Sequence, residues 1–207
     1  MKELARNGYV YFKLEDPGEV DAFQIKNSFE DGFEFFRGLG IIGYEKTFKM
    51  WLRKFPRPIF IAAVDSREMV SWAFVEEWEE MAKDGASVYV LRAIETLPRL
   101  RSKKVGFRIM LLVLQQTIGY LLVKPLTPDG ERFFRGLGFV DETEYRNPPV
   151  DLSKHKGYLL LAPYKRKHLL QNASMYFRSA NQPPTAPASP ASPASPTSPA
   201  SSSSRPL

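Results

Sequence analysis

The 207-residue sequence contains no cysteine, which excludes disulfide scaffolds, a cysteine nucleophile and thiolate metal sites. Histidine is nearly absent as well. His155 and His168 are the whole supply, too few for a His-rich site, and no spacing joins them to carboxylates in a ligand pattern, so no metal is expected. Long apolar runs are also missing. The longest, Ile109 to Leu114, falls far short of the roughly 20 residues that span a bilayer. The segment from Met1 to Gly8 carries charges but no apolar core of signal-peptide length. No membrane partner is expected, and a cytoplasmic location follows by default.

What is present suits a globular domain. Hydrophobic residues make up 43% and charged residues 25%, enough apolar material for a core without staples. Lys and Arg exceed Asp and Glu by 29 to 23, a net charge of +6 that is compatible with nucleic acid, an anionic cofactor or solubility alone. From Asn181 onward the composition changes abruptly. The run PPTAPASPASPASPTSPASSSSRPL holds eight of the seventeen prolines and a single charge, Arg205. It has too little apolar surface to offset the entropy of ordering, so disorder with local polyproline II character is expected. The chain thus divides into one domain over residues 1–178 and a disordered Pro/Ser/Ala-rich tail over residues 179–207.

Within the domain the pattern alternates between α and β. Strands are predicted at Tyr9–Leu14, Ile59–Val64, Met69–Trp78, Ser87–Thr96, Tyr120–Lys124, Phe139–Val140 and Gly157–Ala162. Met69–Trp78 and Ser87–Thr96 read as a hairpin, although the Glu-rich stretch between them also resembles a helix. Val20, Phe23, Phe29, Phe33 and Phe36 fall at near-helical intervals and predict a helix from Glu19 to about Phe36, closed by Gly38 and Gly40. Tyr44–Phe55 repeats the signal until Pro56 and Pro58 stop it. Val105 to about Thr117 is an apolar helix. Thr127-Pro128-Asp129 has an N-cap, a first-turn proline and a first-turn acid, so a further helix starts there and runs to Gly136 and Gly138. Antiparallel strands followed by β-α-β-α-β imply an α/β (α+β) domain: a mixed, mostly antiparallel sheet with helices on both faces.

Between the strand ending near Thr96 and the helix starting near Val105 lies a loop with Arg99, Arg101, Lys103 and Lys104. A helix N-terminus offers unpaired N–H groups and the positive end of a dipole, and Gly106 lets an anion approach the backbone. The loop reads either as a pyrophosphate site or as a solvated turn. The segment P-R-L-R-S-K-K-V-G, Pro98 to Gly106, resembles the acetyl-CoA signature P-x-x-R-x-x-G-x-G of the GNAT superfamily, in register at Pro98, Arg101 and Gly106. Thr127 to Phe139 (TPDGERFFRGLGF) is similar to that family's second recurrent element, a short helix ending in aromatic-x-x-Leu-Gly-Phe. Together with the strand order, the resemblance covers about residues 9–162.

The resemblance implies N-acetyl transfer, in which a primary amine attacks the thioester of acetyl-CoA directly. It implies that Arg101, Ser102, Lys103, Lys104, Val105 and Gly106 surround the cofactor phosphates. Ile94 to Leu97, including Thr96, would offer backbone to the pantetheine, which lies where that strand splays from Tyr120–Lys124. Thr127 and Phe134 of the second element would border the same cofactor. Two departures stand out. Lys104 replaces the family's first glycine, so its side chain must point away or add a cation. Phe134 replaces the tyrosine that many members use to protonate the departing thiolate, leaving water, Tyr145 or bulk solvent as the source.

A general base should be a carboxylate near the splay. Glu95 is on the approaching strand, and Glu76 ends the neighbouring one on the side of Trp72 and Phe74; these are the expected bases, each set against the plainer reading of a solvated surface acid. The hexapeptide FFRGLG occurs at Phe35–Gly40 and again at Phe133–Gly138, two amphipathic helix ends closed by glycine. Tyr164 to His168 is a basic cluster that suits nucleic acid or acidic protein, or solubilises the domain edge. Two rivals to an N-acetyltransferase remain: a catalytically weak or inactive GNAT-fold binding module, and a nucleic-acid-binding domain in which the resemblance is incidental.

Overall fold

The computed structural model describes residues 1–28, 30–145, 147–153 and 155–177. The tail expected over residues 179–207, the boundary at 178, and Phe29 of the expected first helix lie outside the described residues. The strands are β1 (Lys2–Arg6), β2 (Val10–Leu14), β3 (Ile59–Asp65), β4 (Glu68–Glu77), β5 (Val88–Thr96), β6 (Tyr120–Val123), β7 (Phe139–Val140) and β8 (Leu159–Leu161). The α-helices are α1 (Phe35–Gly38), α2 (Tyr44–Trp51), α3 (Val105–Gln116), α4 (Pro128–Gly136), α5 (Pro163–Gln171) and α6 (Ala173–Phe177). The strands form one sheet in the order β1-β2-β3-β4-β5-β6-β8-β7. Every pairing is antiparallel except β5 with β6, which is parallel.

Alternation along β3 and β4 decides which helix covers which face. Phe60, Trp72 and Phe74 point to one side, where Phe48 of α2 meets Trp72 at 4.9 Å and Trp51 stacks on Phe74 at 4.4 Å. Aromatic pairs at such spacings contribute about 0.5–1.5 kcal/mol each beyond the area they bury. Helix α3 packs against β3 and β4. Its run from Ile109 to Leu114 is buried throughout, because α5 and α6 cover the side turned away from the sheet. Arg166 of α5 donates to the carbonyl of Leu114 at 2.7 Å and to Thr117, satisfying acceptors left over at the end of α3.

The expected helix from Glu19 to Phe36 does not form. A 3-10 turn over Pro17–Ala22 takes its beginning, with Asp16 accepting from the Gly18 amide and Glu19 accepting from the Asp16 amide. The chain then extends, and Gln24 exchanges backbone hydrogen bonds with Arg67 and Met69 beside β4. At Gly32 a Cβ would sit 2.5 Å from the Lys26 carbonyl oxygen, so the backbone folds back tightly before the short helix α1. The aromatic spacing reflects burial of Phe33 and Phe36, not a helical path. The stretch between β4 and β5 is a turn, so these two strands are the expected hairpin. Strand β1 and helices α5 and α6 add to the expected order. β1 lies at an edge and lacks a β-branched signature, and the basic surface of α5 hides its helical start at Pro163.

Candidate functional site

The parallel pair β5–β6 is the origin of the site. Its register runs only from Val88↔Tyr120 to Leu91↔Val123. Strand β6 then stops, while β5 continues to Thr96. The edge of residues 92–96 turned toward β6 therefore has no partner strand. A bulge marks the same point: Phe74 pairs with Ala93 and Val75 with Leu91, which leaves Arg92 as the extra residue. The two strands diverge into a groove of about 610 Å³.

Three segments close the groove. One wall is the start of α3 and the loop before it, with Leu100, Arg101, Ser102, Lys104, Val105, Gly106 and Phe107 lining the space. Lys104 is the N-cap of α3 and adopts the left-handed conformation at φ 59° and ψ 17°. The expected glycine is thus replaced in side chain but not in backbone shape. The first intrahelical bond of α3 is Arg108 N–H to the Lys104 carbonyl, so the amides of Val105, Gly106 and Phe107 precede any helical acceptor. At Gly106 a Cβ would meet Thr96 Oγ1 at 3.1 Å, which explains why the helix reaches this close to the end of β5 only with glycine there. Thr96 Oγ1 in turn pairs with Ser71 Oγ at 2.7 Å.

A second wall is α4 and the residues ahead of it: Lys124, Pro125, Leu126, Thr127, Phe133 and Phe134. Thr127 Oγ1 accepts from the Gly130 amide at 3.0 Å and holds the helix start against the groove. The third is Phe35 and Phe36 of α1. Both FFRGLG copies thus turn their paired phenylalanines into one space, and both end in a left-handed glycine, Gly40 and Gly138.

Of the residues expected around a cofactor, Ile94, Thr96, Arg101, Ser102, Lys104, Val105, Gly106, Thr127 and Phe134 line the groove. Leu97 and Lys103 do not. Leu97 is fully buried, its amide bonded to Val70, and serves the core. Glu95 lines the groove and is only 5% exposed. Its Oε1 accepts from the amides of Glu34 at 3.0 Å and Phe35 at 2.7 Å, and its Oε2 accepts from the Tyr44 hydroxyl at 2.9 Å. Burial pushes the Glu95 carboxyl above its usual range, against the pull of those donors and of Arg101. Burial and the facing carboxylate push the Tyr44 phenol up as well.

Glu76 does not reach the groove. Burial works to raise its pKa, but the hydrogen bonds from Lys54 at 2.6 Å and Arg92 at 2.7 Å win and hold it below the usual carboxylate value. Tyr145, like Tyr120, packs against the smaller core cluster and does not line the groove. Arg92, Lys124, Phe35 and Phe133 border the groove without having been singled out from sequence. Only the FFRGLG repeat pointed toward two of them. Among the described residues no group of three or more His, Asp or Glu side chains converges as a metal site, and no helix is long and apolar enough to cross a membrane.

No family model and no curated protein matches the sequence. Solved structures do. A chain of the KacTA–DNA complex superposes with a TM-score of 0.59 at 14% identity, over 79% of this chain and 99% of that one. A mutant AtaT toxin bound to acetyl-CoA and the C-terminus of the antitoxin AtaR gives 0.52 at 13% identity, over 79% and 98%. AtaTR bound with acetyl-CoA gives 0.50 at 13% identity, over 82% and 98%. These likenesses are of fold, and the fold is GNAT-like, as the two sequence motifs led one to expect.

Proposed function

We propose that this GNAT-like domain is an N-acetyltransferase that moves the acetyl group of acetyl-CoA to a primary amine. The observation that carries the reading is the wedge between β5 and β6, whose unpaired edge at residues 92–96 leads to the amides of Val105–Phe107 and to Arg101. An extended pantetheine completes such an edge as a strand would, and a pyrophosphate suits a helix start flanked by cations. Ser102 and Lys104 flank that phosphate position, and Thr127 and Phe134 border the arm from the opposite wall. Two solved structures of this fold contain acetyl-CoA, which supports the assignment.

In the reaction the amine nitrogen attacks the thioester carbonyl, the C–S bond breaks, and the amine sheds a proton. Glu95 is the better placed acceptor of that proton, because Glu76 lies outside the groove and is held by Lys54 and Arg92. A carboxylate offers about four lone-pair sites. Three of those on Glu95 are taken by Glu34, Phe35 and Tyr44, which leaves one on Oε2 for an amine or a bridging water. Its raised pKa brings it closer to the working range of a general base. Phe134 has no proton to give, so water protonates the leaving thiolate.

Titration calorimetry with acetyl-CoA, followed by release of free thiol with a panel of amines, tests the reading. Binding and amine-dependent release are expected; absence of binding refutes it. Binding without release would favour the second reading, a CoA-holding module without turnover, which the missing phenol at Phe134 supports. The exposed face of α5, with Tyr164, Lys165, Lys167 and His168, is where a nucleic acid or acidic protein would bind. Affinity there should fall steeply with salt.

A further inference from the structure

The segment from Asp31 to Phe36 borders the groove through Phe35 and Phe36 and is a strap tied to the rest of the domain at two places. Near its start Arg99 donates to the Asp31 carbonyl at 3.2 Å and pairs with Glu68 at 2.8 Å. Deeper in, Glu95 Oε1 gathers the amides of Glu34 and Phe35. The side chain of Glu34 turns the other way and meets the Arg101 guanidinium at 2.6 Å. Arg101 is the cation assigned above to the pyrophosphate, and here a carboxylate of the chain itself holds it. That pair is about half exposed, 55% for Arg101 and 48% for Glu34. A pyrophosphate has more charge and more acceptor oxygens than one carboxylate, and competes for a guanidinium with advantage.

We propose that Glu34 determines ligand specificity as an internal stand-in for phosphate. It keeps Arg101 engaged until a pyrophosphate-bearing ligand takes its place, and its release loosens the strap that carries Phe35 and Phe36, one wall of the groove. A ligand with a pantetheine arm but no phosphate leaves the strap closed. The proposal rests on reading the groove as a CoA site, and its test separates the two.

The probes are CoA, pantetheine and inorganic pyrophosphate, titrated into the full chain at low and high salt. Exposed ion pairs of this kind correspond to about a 1.5- to fivefold change in binding. Glu34→Gln should bind CoA tighter by that factor at low salt and less so at high salt, with pantetheine unaffected. In an Arg101→Ala background the same substitution should change nothing, which separates the pair from a general charge effect. Hydrogen exchange at residues 31–36 should quicken when CoA is added to the wild-type chain, and should already be quick in Glu34→Gln. Equal CoA affinities for wild type and Glu34→Gln overturn the proposal, as does a gain that persists without Arg101 or a strap whose exchange ignores CoA. Should the wild-type chain bind no CoA, the cofactor reading fails. Pyrophosphate then decides Glu34 alone, with tighter binding to Glu34→Gln supporting the stand-in and equal binding ending it.

Discussion

Lys104 offers a test in which backbone and charge can be separated. It sits at φ 59°, a conformation that costs a residue with a Cβ about 1–2 kcal/mol relative to the right-handed region. Replacing it with glycine removes that strain but returns about 0.4–1 kcal/mol of freedom to the unfolded chain. The balance is a gain of roughly 0.5–1 kcal/mol, or about 1–4 °C in the melting temperature of a domain this size. Lys104→Ala keeps the strain and should leave stability within about 0.5 kcal/mol. Both substitutions remove the same exposed cation, so both should weaken acetyl-CoA binding equally, by a factor that shrinks as salt rises. Thermal unfolding followed by circular dichroism and calorimetry with acetyl-CoA read the two effects. Equal melting temperatures for the Gly and Ala variants, or a lower one for Gly, would refute the argument from backbone strain.

Further outcomes follow from the same geometry. Glu95→Ala strands two backbone amides and the Tyr44 hydroxyl, at a cost of about 1–3 kcal/mol for each group left without a partner, so chemical denaturation should show a large loss. Glu95→Gln keeps acceptors for the amides and should fold. Because burial raises the Glu95 pKa, the folded state binds more protons than the unfolded one between the ordinary carboxyl value and the raised one. Its contribution to stability therefore declines as pH rises through that window, and Glu95→Gln should flatten this part of the stability profile while slowing acetyl transfer. A steeper profile in the Gln variant would contradict the assignment. Gly106→Val places branched carbon where even a Cβ lies 3.1 Å from Thr96 Oγ1, and should abolish acetyl-CoA binding in calorimetry. Phe134→Tyr supplies a phenol to the groove and should raise the rate of thiol release without tightening acetyl-CoA; an unchanged rate would show that thiolate protonation does not limit turnover.

Much of this architecture was legible because its signals are local. Proline 98, Arg101 and Gly106 announce the loop before α3, and Thr127 with Pro128 announces α4 by its cap. The order β5, α3, β6 follows from strand and helix periods, and the resemblance implied that the two strands are neighbours. What escaped depends on contacts between distant segments. Phe23, Phe33 and Phe36 keep a helical spacing, yet Gln24 pairs beside β4 and Glu95 draws the amides of Glu34 and Phe35 to itself, so the chain there follows acceptors 60 residues away. Glu95 was found as a groove carboxylate, but not its role as an anchor for that strap. Glu76, the second choice of base, is held instead by Lys54 and Arg92, partners that its place on the strand does not announce.

Mechanically, the parallel junction is a seam. Five strands lie on one side, β1 to β5, and three on the other, β6, β8 and β7, and the sheet is continuous across the line only through the four register pairs from Val88 to Leu91. Beyond Leu91 nothing in the sheet resists the two halves moving apart. A molecule seated in the wedge, as proposed above, would lengthen that seam by taking up the β5 edge beyond Leu91, adding to the four pairs that already tie the halves together.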